Sequence, residues 1–145
     1  MKQLNYEFTS EKSFDDLRGK NNQLYRYDFY IESLCLLIEC DGQQHFRPIS
    51  FGEKNEKKIK KNFYKGIKRD IKKNRYVNKN NNNLLRISYE EIDNIEYWIN
   101  QAIEKINNIS PSFIIYSNDD LYTIHKEFTN MKHWRKKLKE KYHIS

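Results

Sequence analysis

Acidic side chains lie inside two segments of the chain that are otherwise apolar and aromatic. Asp28 lies within the segment 24–31, LYRYDFYI, and Glu39 lies within the segment 34–40, LCLLIEC. A carboxylate in a buried strand is costly unless a cation or several hydrogen-bond donors accompany it. Two such carboxylates side by side repel each other, and a divalent cation relieves that repulsion. The pattern therefore predicts that Asp28 and Glu39 bind Mg²⁺, or Mn²⁺ in its place, for phosphodiester hydrolysis.

More polar residues follow directly along the chain. Asp41 comes two residues after Glu39, so it shares a face with Glu39 if the strand continues, and it is a candidate further ligand. His45 follows a glycine turn and is a candidate general base for activating water. Asp70 and Asn74 fall on the inward stripe of a predicted helix. We expect them to orient His45 or a metal-bound water.

Each of these residues also has a purely structural explanation. Asp28 could pair with Arg26 or Arg86, and Glu39 could lie at a solvated strand end. Asp70 could make a buried hydrogen bond with no role in chemistry. A histidine in a loop is usually a surface residue, so the hypothesis rests on the combination of these side chains.

Positive charge is concentrated in one part of the chain. The 145 residues carry a net charge of +7, with 27 basic and 20 acidic side chains. The segment 54–79 alone contains twelve basic and two acidic residues, a net charge of +10 that leaves about −3 elsewhere. Such a block favours a polyanionic partner, although a solvated lysine-rich helix has the same composition. The residues predicted to contact such a partner, DNA if the family resemblance described below holds, are Lys54, Lys57, Lys58, Lys61, Lys65, Lys68, Lys72, Lys73 and Arg75.

Hydrophobic periodicity predicts strands alternating with helices. Leu24 to Ile31 alternates as a strand, with Tyr25, Tyr27, Phe29 and Ile31 expected on one face. The connection at Glu32 and Ser33 predicts an antiparallel hairpin with the next strand. Strands are predicted at 4–9, 24–31, 34–40, 84–88 and 112–117. Helices are predicted at 63–77, from 88 or 89 to a break at Ser110, and at 119–142.

These elements indicate an α/β fold, in which helices flank a mixed β-sheet and the site lies at the ends of the central strands. The expected organisation is a core domain at 1–109 with a C-terminal helical extension, 110–145, packed on the same domain.

The motif order YRYDFYI, LLIECDGQQHF, KRDIKKNRY and LLRISY, over about residues 24–90, resembles a nuclease family. It is similar to the very-short-patch-repair-type endonucleases and the related homing endonucleases with an E-D-x-H-D site. Both belong to the PD-(D/E)xK, or restriction-endonuclease-like, superfamily. The resemblance implies a restriction-endonuclease-like fold and metal-dependent cleavage or nicking of DNA.

The resemblance also implies residue roles. Asp28 would bind the metal, and Glu39 would lie at the metal. Asp41 stands where the wider superfamily has a lysine. His45 would activate water or assist the leaving group, and Asp70 would support it.

One feature departs from the family pattern. The family has a glutamate on a helix before the first strand, for which this sequence offers only Glu7 and Glu11. The role would be vacant, or supplied from outside this sequence, for example by a second copy in a homodimer. A catalytically inactive nucleic-acid-binding module of the same fold is therefore the alternative function, and a basic structural protein with no site is a third.

Other features of the sequence bear on the compartment. No run of eighteen apolar residues or signal-peptide core is present, so we expect no membrane association and no secretion. Cys35 and Cys40 lie close together in one predicted strand and are expected to be reduced thiols. A cytoplasmic or other intracellular protein is predicted, in a host cell if the source is a virus or phage.

Overall fold

The protein folds as a mixed five-stranded sheet flanked by helices. The computed structural model describes residues 6–108 and 111–145. The strand order is β1-β2-β3-β4-β5, with β1, β2 and β3 antiparallel and with β3, β4 and β5 parallel. This confirms the predicted α/β class and the mixed sheet. The strands are β1 (Thr9–Arg18), β2 (Leu24–Ile31), β3 (Leu36–Asp41), β4 (Asn83–Ser88) and β5 (Ile114–Tyr116).

Helices connect the parallel strands and cover both faces of the sheet. The first helix follows β3 and leads to β4, and the second leads from β4 to β5. The first, third and fourth helices share a buried cluster on one face, whereas the second packs on the other face. The helices are α1 (Glu56–Lys79), α2 (Ile95–Asn107), α3 (Thr123–Thr129) and α4 (Trp134–Lys141), with short 3₁₀ turns at Glu32–Leu34, Gln43–His45 and Tyr89–Asn94.

Helix α1 is longer than its apolar periodicity predicts. It begins at Glu56 rather than at Phe63, because Asn55 caps it by accepting hydrogen bonds from the backbone N–H groups of Lys57 and Lys58, at 3.0 and 3.3 Å. The first two turns carry mostly lysine, so the apolar stripe starts later than the helix does. The consequence is a 24-residue helix that reaches past the end of β3.

Strand β2 changes face at Asp28. The prediction that Tyr27 and Phe29 share one face is wrong, because Tyr27 packs with residues of β3, β4 and α1, whereas Phe29 packs in the cluster that contains α2. The backbone pairing of β2 with β3 runs from Ile31 only to Phe29, so Asp28 lies just beyond the ladder. Glu11 of β1, opposite Asp28 in the register, has a left-handed φ of 53°. The sheet is therefore irregular where Asp28 stands.

Two other predicted elements differ from the structure. Residues 4 and 5 of the first predicted strand lie outside the described residues. The strand that does form, β1, starts at Thr9 and was missed because it is a mostly exposed edge strand with little apolar alternation. The predicted helix 119–142 is divided into α3 and α4, because His133 has a left-handed φ of 61° that a right-handed helix cannot include.

The predicted helix end at Ser110 and the predicted domain boundary after residue 109 also fall outside the described residues. Helices α3 and α4 pack on α1 through Phe128, Trp134 and Leu138. None of the helices in the described ranges is both long and apolar enough to cross a membrane.

Candidate active site

A buried arginine occupies the centre of the candidate site. Arg86 of β4 is 0% exposed. Its Nη1 donates to both carboxylate oxygens of Asp41, at 3.1 and 2.9 Å, and its Nε donates to Asn74 Oδ1 at 2.7 Å. Asp41 was predicted as a further metal ligand, but its two oxygens already bind this guanidinium. The structure makes Asp41 the counter-ion of Arg86 instead.

Strand β3 presents its two acidic residues on the same face, as its alternation predicts. Glu39 and Asp41 are 4% and 2% exposed, and both point toward α1. Glu39 pairs with Lys73 of α1, whose ammonium also donates to the backbone carbonyl of Arg26. Lys73 was predicted to contact DNA phosphates. Because it is only 5% exposed and is held by Glu39, the structure assigns it to the site rather than to the surface.

Asp28 and Glu39 lie side by side, joined through backbone amides. The N–H of Asp28 donates to Glu39 Oε1 at 2.9 Å, and the N–H of Cys40 donates to Asp28 Oδ2 at 2.7 Å. Beyond the last backbone pair of β2 and β3, these side-chain hydrogen bonds hold the two strands together. Asp28 is exposed, so its carboxylate is open to a ligand from solvent, whereas Glu39 is covered.

His45 and Asp70 meet as predicted. His45 Nδ1 donates to Asp70 Oδ2 at 2.7 Å, and the histidine side chain remains 21% exposed while that of Asp70 is 2% exposed. The 3₁₀ turn after β3, Gln43–His45, brings His45 against the middle of α1, where it meets Asp70. With Nδ1 engaged by Asp70, Nε2 is the ring nitrogen left for a substrate or a water.

The C-terminal segment supplies two residues that sequence reasoning missed. His125 Nε2 donates to the same Asp70 oxygen at 2.9 Å, and the Tyr122 hydroxyl donates to Asp41 Oδ2 at 2.8 Å. Both are buried, and His125 Nδ1 has no hydrogen-bond partner among the described residues. The spacing of Tyr122, His125 and Thr129, which places them on one helix face, was the available signal.

Burial and neighbouring charges shift several pKa values in the site. Burial raises the pKa of Glu39 more than Lys73 and Arg86 lower it. For Asp70, burial acts to raise the pKa, but Arg86 and the two histidines hold it well below its usual range. Burial acts to lower the pKa of His45, yet the hydrogen bond and charge of Asp70 raise it above 6.5 overall. Burial likewise opposes the charged form of Arg86, and the surrounding carboxylates outweigh it.

The buried charges nearly balance. Within the described part of the chain, the buried carboxylates are Glu39, Asp41 and Asp70, and the buried cations are Lys73 and Arg86. One negative charge is therefore left over, and protonation of His45 neutralises it. This balance explains why the network tolerates burial that isolated charges would not.

A cationic cleft opens beside His45. It has a volume of about 400 Å³ and lies between the loop after β3 and helix α1. Its cationic lining residues are Arg47, Lys58 and Arg69, and Lys58 also pairs with Glu53 at 3.3 Å. Arg47 and Arg69 were not among the predicted DNA contacts. The cleft joins the exposed edge of the His45 ring to a surface that suits an anion.

The remaining predicted DNA contacts lie along α1 and just before it. Lys54, Lys57, Lys61 and Lys65 are exposed, and Lys68 is partly exposed. Lys72 donates to the backbone carbonyl of Arg18 at 3.2 Å, and Arg75 donates to that of Thr129 at 2.8 Å.

The donor set fits a divalent cation in part. Across residues 6–108 and 111–145, no three His, Cys, Asp or Glu side chains are grouped to hold a metal ion. Mg²⁺ needs only one or two carboxylates, with water and phosphate oxygens completing its shell. Asp28 meets this requirement at the surface. Glu39 could bind Mg²⁺ only if the ion displaced Lys73, because the lysine binds one oxygen of Glu39 and the Asp28 amide donates to the other.

Comparisons of this chain with protein-family models, curated proteins and solved structures gave no match.

Proposed function

We propose that the protein is a metal-dependent DNA endonuclease or nickase with a restriction-endonuclease-like fold. One observation carries the proposal. The His45–Asp70 pair, with the His45 side chain 21% exposed, opens onto a cationic cleft at the carboxyl end of β3, the strand that also carries Glu39 beside Asp28. Ligand sites of α/β sheets lie at this end of parallel strands.

His45 would act as the general base. Asp70 binds the ring through Nδ1, so Nε2 is the nitrogen left to accept a proton from an attacking water. The same carboxylate would stabilise the imidazolium that forms. His125 donates to the same oxygen of Asp70 and would hold that carboxylate in place.

Asp28 and Glu39 would hold Mg²⁺, with Mn²⁺ as a substitute. When bound there, the ion would offset charge developing on phosphate oxygens and lower the pKa of a coordinated water. Lys73 would have to release one oxygen of Glu39 for that residue to join Asp28.

Arg47 and Arg69 would hold the phosphate groups of the substrate. Both line the cleft beside His45, and guanidinium groups bind phosphate in a bidentate manner. Such contacts place the DNA backbone and carry little sequence information.

A supercoiled-plasmid nicking assay tests the proposal. Purified protein should nick the plasmid in Mg²⁺ or Mn²⁺ and not in EDTA. Asp28→Asn should abolish nicking, whereas Asp93→Asn, at an exposed aspartate in the 3₁₀ turn after β4, should not. Full nicking by Asp28→Asn would reject the assignment of the metal ligand.

A catalytically inactive nucleic-acid-binding module is the second candidate. The observation that favours it is the Lys73–Glu39 ion pair, which neutralises Glu39 without a metal. This candidate predicts salt-dependent DNA binding with no nicking in either metal.

A further inference from the structure

Helix α1 carries a line of cations along one of its faces. Their spacings alternate between four and three residues, which keeps them on one face of a helix. At 1.5 Å per residue the line is about 27 Å long. We refer to it as the basic stripe, and its members are Lys61, Lys65, Lys68, Lys72, Arg75 and Lys79.

Helix α4 widens the basic stripe near its middle. A pocket of about 570 Å³ lies between Lys72 and Arg75 of α1 and Arg135 of α4. Arg75 and Arg135 both pack on the Trp134 ring, at 5.9 and 4.7 Å from its centroid. These contacts hold the guanidinium groups in place before any ligand arrives.

The cations here are crowded and lack carboxylate partners. Within the described ranges, none of the stripe residues, nor Arg135 or Lys139, pairs with a carboxylate within 4.0 Å. Burial lowers the pKa of Lys68, and the charges of Lys72, Arg135 and Lys139 lower it further. An anion placed among them would relieve this repulsion.

The basic stripe and the cleft are formed by different residues of α1. The cleft is lined by Lys58, Asn62 and Arg69 of α1, whereas the pocket on the stripe is lined by Lys72 and Arg75. At about 100° per residue, Arg69 lies about 120° from Arg75 around the helix axis, whereas Lys58 lies only about 20° from the stripe residue Lys65. The cleft therefore adjoins the N-terminal part of the stripe, and the pocket beside Trp134 shares no lining residue with it.

We propose that the basic stripe, together with Arg135 and Lys139, binds the phosphate backbone of a nucleic-acid duplex as a second contact separate from the cleft. This inference rests on the proposed function for the identity of the polyanion. The length of the stripe is close to one turn of B-DNA, about 34 Å.

The chemistry of the surface favours a duplex over a single strand or a membrane. Single-strand sites present exposed aromatic rings for base stacking, but Trp134 is only 4% exposed. A membrane-surface helix needs an exposed apolar face, and the apolar face of α1 is buried at Ile67, Ile71 and Val77.

Fluorescence anisotropy with a 20-base-pair duplex in EDTA, across a salt series, tests this inference without requiring cleavage. The test variant is Lys68→Gln with Lys139→Gln. The matched control is Lys12→Gln with Lys105→Gln, which removes the same charge from β1 and α2. The test variant should bind more weakly and lower the salt slope by about two, since each phosphate contact contributes roughly 0.9. Its melting temperature should match that of the control.

Three results would overturn the inference. The first is a test variant whose affinity and salt slope for the duplex equal those of the control. The second is a loss of affinity for a single strand of the same length that equals the loss for the duplex. The third is binding of the wild type to phosphatidylserine vesicles that the test variant loses as strongly as it loses binding to the duplex.

If the stripe and the cleft are separate surfaces, the effects of substitutions in them should also be additive. Arg47→Gln should add its binding cost to that of the test variant, because Arg47 lines the cleft and not the pocket on the stripe. If the protein nicks no plasmid but the test variant shows these losses, the duplex-binding surface is supported and the proposed endonuclease activity is rejected.

Discussion

Tyr122 and Asp41, 81 residues apart in the chain, are joined by a hydrogen bond of 2.8 Å in the interior of the protein. This bond connects the segment before α3 to the last residue of β3. It means that the C-terminal segment, which lies outside the motifs that resemble the nuclease family, helps to build the candidate site.

Replacing Tyr122 with Phe should destabilise the protein by about 1–3 kcal/mol, because a buried carboxylate oxygen of Asp41 loses a donor. Urea unfolding followed by circular dichroism measures this. Tyr97→Phe is the control, since Tyr97 is 56% exposed. Equal midpoints for the two variants would show that the hydroxyl does not stabilise Asp41.

Replacing Arg86 with Met should cost more, about 3–5 kcal/mol, because it leaves buried carboxylates without their cation. The expected observation is a large fall in melting temperature or failure to fold. Arg26→Met, which removes an exposed arginine from β2, should change the melting temperature little. If Arg86→Met melts like the wild type, the central role of this guanidinium is wrong.

Stability should decrease as pH rises through the raised pKa of His45. The folded state binds the His45 proton more tightly than the unfolded state does, because Asp70 accepts its hydrogen bond. This contribution is complete below an unfolded pKa of about 6.5 and disappears as pH rises through the higher folded pKa. Urea titrations from pH 5 to 9 should show the decline in wild type and in His143→Gln, but a smaller one in His45→Gln.

If His45 is the base, nicking should follow the opposite trend with pH. Its deprotonated form accepts the proton, so the rate should rise through the same raised pKa. A nicking rate that is flat from pH 6 to 9 would argue against His45 as the base.

Neutralising Lys73 should strengthen Mg²⁺ binding. Lys73→Gln removes the cation that pairs with Glu39 and leaves that carboxylate to a metal. Isothermal titration calorimetry with Mg²⁺ should show a lower Kd than wild type, and Lys105→Gln should not change the Kd. An unchanged Kd in Lys73→Gln would exclude Glu39 as a ligand.

The sequence predicted the acidic part of the site better than its cationic part. Glu39 and His45 could be located from strand alternation and a short turn, and Asp70 from the periodicity of its helix, whereas Asp28 lies where the alternation of β2 fails. The partner of a buried acid depends on packing between elements distant in sequence. For that reason Arg86 was named only as one of two possible partners of Asp28, whereas it binds Asp41, and Lys73 was assigned to the surface.

The fold shows the same division. The central strands carry clear apolar patterns and were predicted near their observed positions. The helix predicted from residue 88 or 89 instead starts as a 3₁₀ turn, Tyr89–Asn94, and becomes α2 only at Ile95. Strand β1 is an edge strand with an exposed, charged sequence, so it lacks the alternation of apolar and polar residues from which a strand paired with β2 could be predicted. The face change at Asp28 depends on where the ladder with β3 stops, which local alternation cannot reveal.

Helix α1 contributes Asp70 and Lys73 to the buried network, and it carries the basic stripe on its surface. Its rotation about its own axis therefore decides at once which residues are buried in the network and which form the stripe. Inserting one residue between Asn55 and Asp70 would turn one part of the helix by about 100° relative to the other. If the part after the insertion rotates, basic side chains would replace Asp70 and Lys73 in the buried network. If the part before it rotates, the Asn55 cap and the first lysines of the stripe would no longer lie on the same face as the rest of the stripe. Changes in chain length should therefore be tolerated in the loops directly before Asn55 and directly after Asn80, but not between these two residues.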